Sequence, residues 1–142
     1  MHLTRYTDYA LRTLIHLASH SDKLCSIAEI ARVHGISQNH LMKVANDLSR
    51  AGYVEAVRGR AGGLRLALPA SEINVGIVVR HTEEGFDLVE CAACVISPAC
   101  GLTGALDAAL AAFMRVLDGY SLADLAKKRR ALRRLLSVEQ VV

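Results

Sequence analysis

The sequence predicts a mainly α-helical fold with a small β-hairpin wing, ordered as a winged helix-turn-helix followed by a long C-terminal dimerisation helix. Two patterns support this fold class. Two short amphipathic segments meet across a glycine-containing turn and lead into a hairpin pattern, and a long apolar stripe at helical spacing follows later. The chain has 142 residues, of which 52% are hydrophobic and 4% aromatic. That length suits one domain with an aliphatic core, and the composition excludes an intrinsically disordered chain.

The first three helices are recognised by apolar residues at intervals of three and four and by their capping residues. Ser26 stands three residues before Glu29, which is the spacing of a capping box at a helix start. Gly35 ends that short helix and opens the tight turn that a helix-turn-helix needs. The predicted helices run from about Thr7 to Ser19, from Ile27 to His34, and from the N-cap Ser37 to the stop at Gly52.

A β-hairpin is predicted directly after the third helix. Residues 53–57 and 64–68 have strand-like composition, and the second segment ends before Pro69. The segment between them, 58–63, contains three glycines and reads as a flexible turn. A helix-turn-helix followed by a hairpin is the order of elements in a winged helix.

The remaining chain is predicted to form a short helix over 71–81, a loop over 82–100 and two further helices, the last over 122–136. The loop has no sustained period and contains three clustered cysteines. The basic stretch of the last helix is interpreted as a solvated face. The expected organisation is a winged helix-turn-helix DNA-binding domain at 1–80, a cysteine-bearing loop at 81–101, and a dimerisation helix with a C-terminal helix at 102–142.

A heptad-like apolar stripe marks the helix that begins near residue 102. Its members recur at intervals of four and three residues. Such stripes more often cover a core within one chain, but here a winged helix is complete by about residue 70 and leaves little core to cover. A homodimer is therefore the favoured interpretation. The stripe consists of Leu102, Leu106, Ala109, Phe113, Val116 and Tyr120.

The third helix carries the side chains expected to read DNA. A recognition helix places its first turn on base edges in the major groove, so that turn should carry hydrogen-bonding groups. Here it reads Ser37-Gln38-Asn39-His40, with Lys43 one turn further on. A capped and solvated helix start would look similar in isolation, and the adjoining wing favours the DNA-binding interpretation.

The basic charge of the chain is concentrated in this region. Residues 37–65 contain five basic and two acidic residues, 5 − 2 = +3, which equals the net charge of the whole chain. Arginines at a wing tip can enter a narrow minor groove, and neighbouring glycines let the backbone approach a phosphate. The sequence therefore predicts double-stranded DNA as partner. The wing residues expected to contact it are Arg58, Arg60, Gly62, Gly63 and Arg65.

Three of the four cysteines, Cys91, Cys94 and Cys100, fall within ten residues of one another. Thiolates are soft ligands that suit zinc or an iron–sulfur cluster, so the spacing predicts metal or redox chemistry. Neither option has an obvious fourth ligand nearby, and both stay open from the spacing alone. Cys25 is interpreted as a small buried hydrophobe.

No catalytic constellation is visible, so the chain is not expected to be an enzyme. The six histidines are scattered and are interpreted mostly as surface or helix-face residues. No apolar run is long enough to span a membrane, and the N-terminus lacks a secretory signal pattern. A cytoplasmic protein without membrane contact is expected.

Five segments spread over nearly the whole chain together resemble the Rrf2 family of bacterial repressors, and within it the nitric-oxide-sensing branch. They are MHLTRYTDYALR at 1–12, SQNHLMK at 37–43, LSRAGYV at 48–54, RGRAGGLRL at 58–66 and ISPAC at 96–100. In the iron–sulfur-assembly repressors of this family a histidine follows the third cysteine. Thr103 stands at that spacing here, which favours the nitric-oxide branch.

The resemblance implies a homodimeric winged-helix repressor that holds a 2Fe-2S or 4Fe-4S cluster through Cys91, Cys94 and Cys100. It also implies a fourth ligand from the other subunit, at the position of Asp8, although Asp8 equally suits a plain acid at a helix N-terminus. The family usually has four or five residues between its first two cysteines, and this sequence has two. The shorter spacing leaves the cluster type and the fourth ligand open.

The function implied is an iron–sulfur-dependent repressor that binds operator DNA as a homodimer and is released when nitric oxide modifies the cluster. One alternative is a thiol-redox or zinc-binding winged-helix transcription factor, in which Cys91 and Cys94 form a reversible disulfide. Another is an iron–sulfur-status regulator of the same family.

Overall fold

The computed structural model describes residues 1–137 of the chain. Residues 138–142, the end of the expected C-terminal segment, lie outside the described residues. The helices are α1 (Arg5–Ser19), α2 (Ile27–His34), α3 (Gln38–Arg50), α4 (Val75–Thr82), α5 (Leu102–Asp118), α6 (Leu122–Leu125) and α7 (Arg129–Leu136), and the strands are β1 (Val54–Val57) and β2 (Gly63–Leu66). Short 3-10 turns occupy Ala70–Glu72 and Ser97–Ala99.

The first three helices begin at capping side chains. The Ser26 and Ser37 hydroxyls accept from the backbone N–H groups three residues later, at 3.0 and 3.1 Å, as their positions in the sequence predict. Helix α1 begins two residues before the predicted start, because Thr4 caps it by accepting from the Thr7 N–H at 3.3 Å. Gly35 adopts φ 67°, a left-handed conformation that permits the sharp turn between α2 and α3.

The predicted hairpin is confirmed, and one of its strands also pairs with a residue from another part of the chain. Strands β1 and β2 pair antiparallel, with Val54 opposite Leu66 and Val57 opposite Gly63. Cys25, just before α2, exchanges two backbone hydrogen bonds with Leu64 of β2, at 3.0 and 2.8 Å. The wing is therefore attached to the segment between α1 and α2.

The helix predicted over 71–81 is shorter than expected at its N-terminal end. The residues after Pro69 form a 3-10 turn, and α4 begins only at Val75. The reason is local, because the Asn74 side chain accepts from the Ile77 N–H at 3.0 Å and so acts as N-cap. The Asn74 amide also donates to the Asp118 carbonyl at 2.7 Å, which joins this cap to the end of α5.

The prediction of one continuous final helix over 122–136 is wrong. Ser121 and Asp124 form a capping box that begins α6, and non-helical backbone at Ala126 and Lys128 separates α6 from α7. The bend lets Leu122, 1% exposed, enter the main core while α7 turns back toward α1. Arg129 then donates to the Ser19 carbonyl at 3.3 Å.

Two apolar cores hold these elements together. The main core joins α1, α2, α3 and the hairpin, and its fully buried members include Leu14, Leu41 and Leu48. A smaller core lies between α4 and α5, where Val75, Val79 and Met114 pack together. Residues 83–101 belong to neither core except through Phe86, so the cysteine loop is held mainly by its two ends. Among the residues described, no helix is long and apolar enough to cross a membrane.

Candidate DNA-binding surface and cysteine loop

The exposed face of α3 carries the predicted base-reading residues. Ser37, Gln38, Asn39 and Lys43 are exposed, while the opposite side of α3 is buried in the main core. His40 differs from them: it is half-buried, and its ring packs edge-on against Tyr9 of α1 with ring centroids 4.9 Å apart. The start of α3 thus offers amide and ammonium groups to solvent, with His40 anchored at its edge.

The wing presents two arginines and restrains a third. Arg58 and Arg60 are exposed in the turn between the strands. Arg65 lies opposite Glu55 in the hairpin register, and its guanidinium Nε donates to the Glu55 carboxylate. Because Arg65 already has an anionic partner, the unpaired positive charge of the described wing lies mainly at its tip.

The two glycines predicted in the wing, Gly62 and Gly63, lie so close to neighbouring backbone that a side chain would not fit. A Cβ at Gly62 would meet the Val57 carbonyl oxygen at 2.0 Å, and one at Gly63 would meet the Cys25 carbonyl at 2.8 Å. Both positions are therefore required by the shape of the wing, in addition to any contact with phosphate.

Two elements contact the buried side of α3 at one carboxylate. Asp47 lies 3.1 Å from His81 Nε2 of α4, and its carboxylate also lies beside Tyr6 of α1. Burial, with the Asp47 carboxylate beside it, raises the pKa of Tyr6 to about 12, so this hydroxyl stays protonated. Asp47 thereby joins α3 to both α1 and α4.

The three clustered cysteines lie on the loop before α5 as free thiols. Cys91 and Cys94 line a cavity of about 670 Å³ between the loop and the Leu106–Leu110 face of α5. The Cys91 sulfur lies 3.4 Å from the Thr103 hydroxyl, and the Leu102 N–H donates to the Cys100 sulfur at 3.4 Å. Cys94 is exposed.

This donor set is chemically suited to an iron–sulfur cluster. None of the three cysteines is in a disulfide: Cys94 is exposed, and Cys91 and Cys100 are half-buried. The sulfurs of Cys91 and Cys100 have hydrogen-bonding partners at the start of α5. Backbone N–H groups at a helix start favour thiolate and adjust the reduction potential of a sulfur-bound iron. The residue types present therefore fit such a group, but within the described residues the three sulfurs do not form a set in which all lie within 4.8 Å of one another.

Asp8 lies on α1 and, among the described residues, forms no group of ligand atoms with the cysteines of its own chain. Its carboxylate pairs with Arg12 one turn further on, at 2.9 and 3.1 Å, and about 44% of the Asp8 side chain is exposed. The structure does not bring Asp8 to the cysteines within one chain. Its predicted role as a ligand concerns the other subunit and stays a prediction.

Most of the apolar stripe of α5 faces outward. Leu102 is 53% exposed, Val116 61% and Tyr120 47%, whereas Met114 on another face packs against α4. Leu106 is the exception, because it lines the cavity beside the cysteines. The stripe is thus free of any intrachain core in the described residues except at that position.

The expectation that the histidines are surface residues is wrong for two of them. His16 and His20 are 1% and 8% exposed, and they lie with His34 and Cys25 in one buried group. Positions 16 and 20 are one helical turn apart, which is the signal that the sequence offered. Cys25 is buried as predicted.

A comparison with known protein families decides the family. Residues 3–128 match the Rrf2 family, described as an iron-dependent transcriptional regulator. The chain belongs to the Rrf2 family. The Rrf2 resemblance of the sequence is thereby confirmed, and the chain is a transcriptional regulator rather than an enzyme.

Two curated relatives and one solved structure agree with this placement. The HTH-type transcriptional regulators NsrR of Bacillus subtilis and Bacillus licheniformis are 49% and 50% identical, over 99% and 96% of this chain and 100% of each relative. The structure of IscR from T. potens matches with a TM-score of 0.74 at 26% identity, over 90% of this chain and 88% of that one. The helical fold with its hairpin is therefore the winged-helix fold of Rrf2 regulators.

Proposed function

We propose that this Rrf2 protein is a homodimeric repressor whose affinity for operator DNA depends on an iron–sulfur cluster held by Cys91, Cys94 and Cys100. Nitric oxide is the signal that releases the repressor from DNA. The observation that carries the proposal is the set of three unpaired thiols on one loop, two of them hydrogen-bonded by the start of α5. The high identity to regulators named NsrR over the full chain supports it.

In this proposal, successive segments of the chain have different functions. Residues 1–80 bind DNA, 81–101 hold the cluster, and 102–142 form the dimer contact and the C-terminal helix. Gln38, Asn39 and Lys43 enter the major groove, with Ser37 and His40 at the helix start, and Arg58 and Arg60 contact the neighbouring minor groove or phosphates. Gly62, Gly63 and Arg65 shape the wing that carries those arginines.

The dimer follows from the exposed stripe on α5. One winged helix buries a small area on DNA, and two copies are needed to read a site with two half-sites. Burying Leu102, Phe113, Val116 and Tyr120 against a second copy would remove apolar surface from water. The acid proposed as fourth ligand, Asp8, would then come from the partner subunit once its Arg12 pairing is broken.

The coupling between the loop and α3 uses contacts at the end of α4. Glu83 begins the loop and accepts from the Thr4 hydroxyl at 2.6 Å and from the hydroxyl of Thr7. Those residues begin α1, which supports His40 through Tyr9. Iron in a cluster of this kind supplies the site at which nitric oxide reacts. If the cysteines were no longer bound to the cluster, the loop would lose its restraint, and Glu83 and the start of α1 would lose their fixed position. The spacing between the two recognition helices of the dimer would then change.

The test uses the full chain purified without oxygen, with its iron and sulfide measured. A duplex that the protein itself selects from random sequence serves as the DNA probe, and binding is followed while nitric oxide is added. We expect iron and sulfide in the protein and a loss of affinity of at least about tenfold, equal to about 1.4 kcal/mol. Undiminished affinity after reaction with nitric oxide would overturn the proposal.

The cysteine variants separate the cluster from the alternatives. Cys100→Ser should remove the visible absorption and the response to nitric oxide, whereas Cys25→Ser should keep both, because Cys25 lies outside the loop. A colourless protein that contains zinc, or whose DNA affinity follows a Cys91–Cys94 disulfide, would instead support the thiol-redox or zinc-binding regulator. A response to cluster loading without a response to nitric oxide would support an iron–sulfur-status regulator.

A further inference from the structure

A second group of metal-ligating side chains lies in the interior, away from the cysteine loop. His16 on α1, His20 at the C-cap of α1 and Cys25 before α2 each offer one ligand atom, and these atoms all lie within 4.8 Å of one another. All three residues are buried, and within residues 1–137 they form the one such group of histidine, cysteine and acidic side chains. Nothing in the proposed repressor mechanism uses them.

The centre of this group contains two polar atoms without hydrogen-bond partners. Among the described residues, nothing bonds His16 Nε2 or the Glu29 Oε2 atom, and the two lie 4.0 Å apart. Only 1% of His16 is exposed, so solvent water does not readily supply the missing hydrogen bond. Leaving a buried polar atom unpaired costs about 1–3 kcal/mol. The other oxygen of Glu29 accepts from the Lys23 ammonium at 3.2 Å, so the unpaired Oε2 is the atom that remains available to a cation beside His16.

The other nitrogen atoms of the two rings are already engaged. His16 Nδ1 lies 3.1 Å from His34 Nε2, and His20 Nδ1 lies 2.9 Å from the His16 carbonyl, to which it can only donate. The proton of His20 is therefore on Nδ1, and its Nε2 keeps a free lone pair. Metal-bound histidines characteristically donate their second N–H in this way, which holds the ring in position.

Burial changes the protonation of both His16 and Cys25, and it raises the pKa of the Cys25 thiol to about 11. Burial, together with the neighbouring His20 and His34, lowers the pKa of His16 to about 4. The ring is neutral at pH 7, so His16 and Glu29 do not form an ordinary ion pair.

We propose that His16, His20 and Cys25 form a structural zinc site, with the Glu29 carboxylate as fourth ligand. Two imidazoles, a thiolate and a carboxylate are the ligand types that Zn²⁺ takes in tetrahedral sites. Bond lengths of about 2.0–2.3 Å place tetrahedral ligands roughly 3.3–3.7 Å apart, so the side chains close in by about 1 Å on binding. The Cys25 thiol gives its proton to solvent as its sulfur bonds the metal.

The site would connect the DNA-binding wing to the first helix. Cys25 is bound through its backbone to Leu64 of β2, His16 lies in the last turn of α1, and His20 is the residue that follows this helix. A metal bound by all three fixes the wing to the helix that also carries Tyr9 and Asp8. This role is independent of the cluster proposed at the loop, and neither proposal fails with the other.

The experiment removes the loop thiols and keeps the buried site unchanged. In a Cys91→Ser, Cys94→Ser, Cys100→Ser variant of the full chain, Cys25 is the only thiol, so any thiolate–metal absorption reports on it. The metal-free variant is titrated with Co²⁺ and then with Zn²⁺. We expect one Co²⁺ per chain, a thiolate-to-cobalt band in the near ultraviolet, and its loss as the tighter-binding Zn²⁺ displaces cobalt.

Matched histidine variants sharpen the assignment. His20→Gln in the same background should weaken cobalt binding by at least about tenfold, whereas the exposed His81→Gln should leave it unchanged. The proposal is overturned if cobalt does not bind in one equivalent, if it binds without the thiolate band, or if His20→Gln binds as tightly as its parent. If the zinc site is absent, the iron and sulfide content of the unmodified chain and its response to nitric oxide are unaffected. The two proposals are therefore tested separately.

Discussion

Gly63 of the wing lies against the backbone of Cys25, so closely that a Cβ built at position 63 would stand 2.8 Å from the Cys25 carbonyl oxygen. The neighbouring Leu64 exchanges hydrogen bonds of 3.0 and 2.8 Å with Cys25. The wing is therefore fastened to the body of the domain through backbone atoms. A side chain at this point must push the two segments apart.

Gly63→Ala should separate the wing from Cys25 and destabilise the protein by about 1–3 kcal/mol, because the clash involves backbone that cannot rotate away. Operator affinity should fall with it. Gly104→Ala is the control: no described atom lies within 4 Å of its added Cβ, and in a helix this change stabilises by up to about 1 kcal/mol. Urea unfolding measures both. A Gly63→Ala protein as stable as the parent would contradict the role of this contact.

The wing-tip arginines should contribute to DNA binding more than Arg65 does. Arg58→Ala and Arg60→Ala should each reduce the slope of log affinity against log salt by about 1. Arg65→Ala should change it less, since the Arg65 guanidinium is already paired with Glu55. Arg115→Ala, on exposed α5, serves as the control and should bind like the parent. Equal slopes for all four variants would show that the arginines of the wing tip do not contact DNA.

The α5 stripe can be tested at Val116, one of its exposed large side chains. Val116→Glu, at a residue 61% exposed, should convert the dimer to a monomer and reduce operator affinity, because a buried carboxylate at a dimer contact is costly. Ile77→Glu, at a residue 55% exposed on α4, should remain dimeric. Sedimentation velocity distinguishes the two forms. If Val116→Glu sediments as a dimer, the stripe is not the dimer contact.

Glu83 should make the stability of the domain depend on acidic pH. Burial alone would raise the pKa of Glu83, but hydrogen bonds from Thr4 and Thr7 outweigh it and hold the pKa below the ordinary 4.5. The folded protein thus binds this proton less readily than the unfolded chain does. The resulting stabilisation is complete above pH 4.5 and is lost as the pH falls through the folded value.

Glu83→Gln should therefore lower stability at neutral pH by about 1 kcal/mol, since bonds to a charged acceptor exceed those to a neutral one by about that amount. The difference from the parent protein should shrink as the pH is lowered below 4.5. Thermal unfolding across this range measures the change, and Glu84→Gln, next in sequence, is the control. A constant difference at every pH would show that the Glu83 charge does not matter.

Much of the DNA-binding half could be read from local sequence signals. The capping serines Ser26 and Ser37, the left-handed Gly35 and the hairpin pattern act over three or four residues, and each places its element as observed. The break between α6 and α7 is not encoded by such local signals. It depends on Leu122 finding space in a distant core and on a capping box at Ser121 and Asp124, which a continuous helical pattern masks.

The sequence by itself determined the winged-helix order, the family, the exposed recognition turn and the crowding of three thiols on one loop, because all of these depend on neighbouring residues. Only the tertiary structure decided that Arg65 is paired with Glu55, that Asp8 forms no ligand group with the cysteines of its own chain, and that His16, His20 and Cys25 meet in the interior. These are contacts between segments whose approach is set by packing of the whole core, and no local periodicity encodes it.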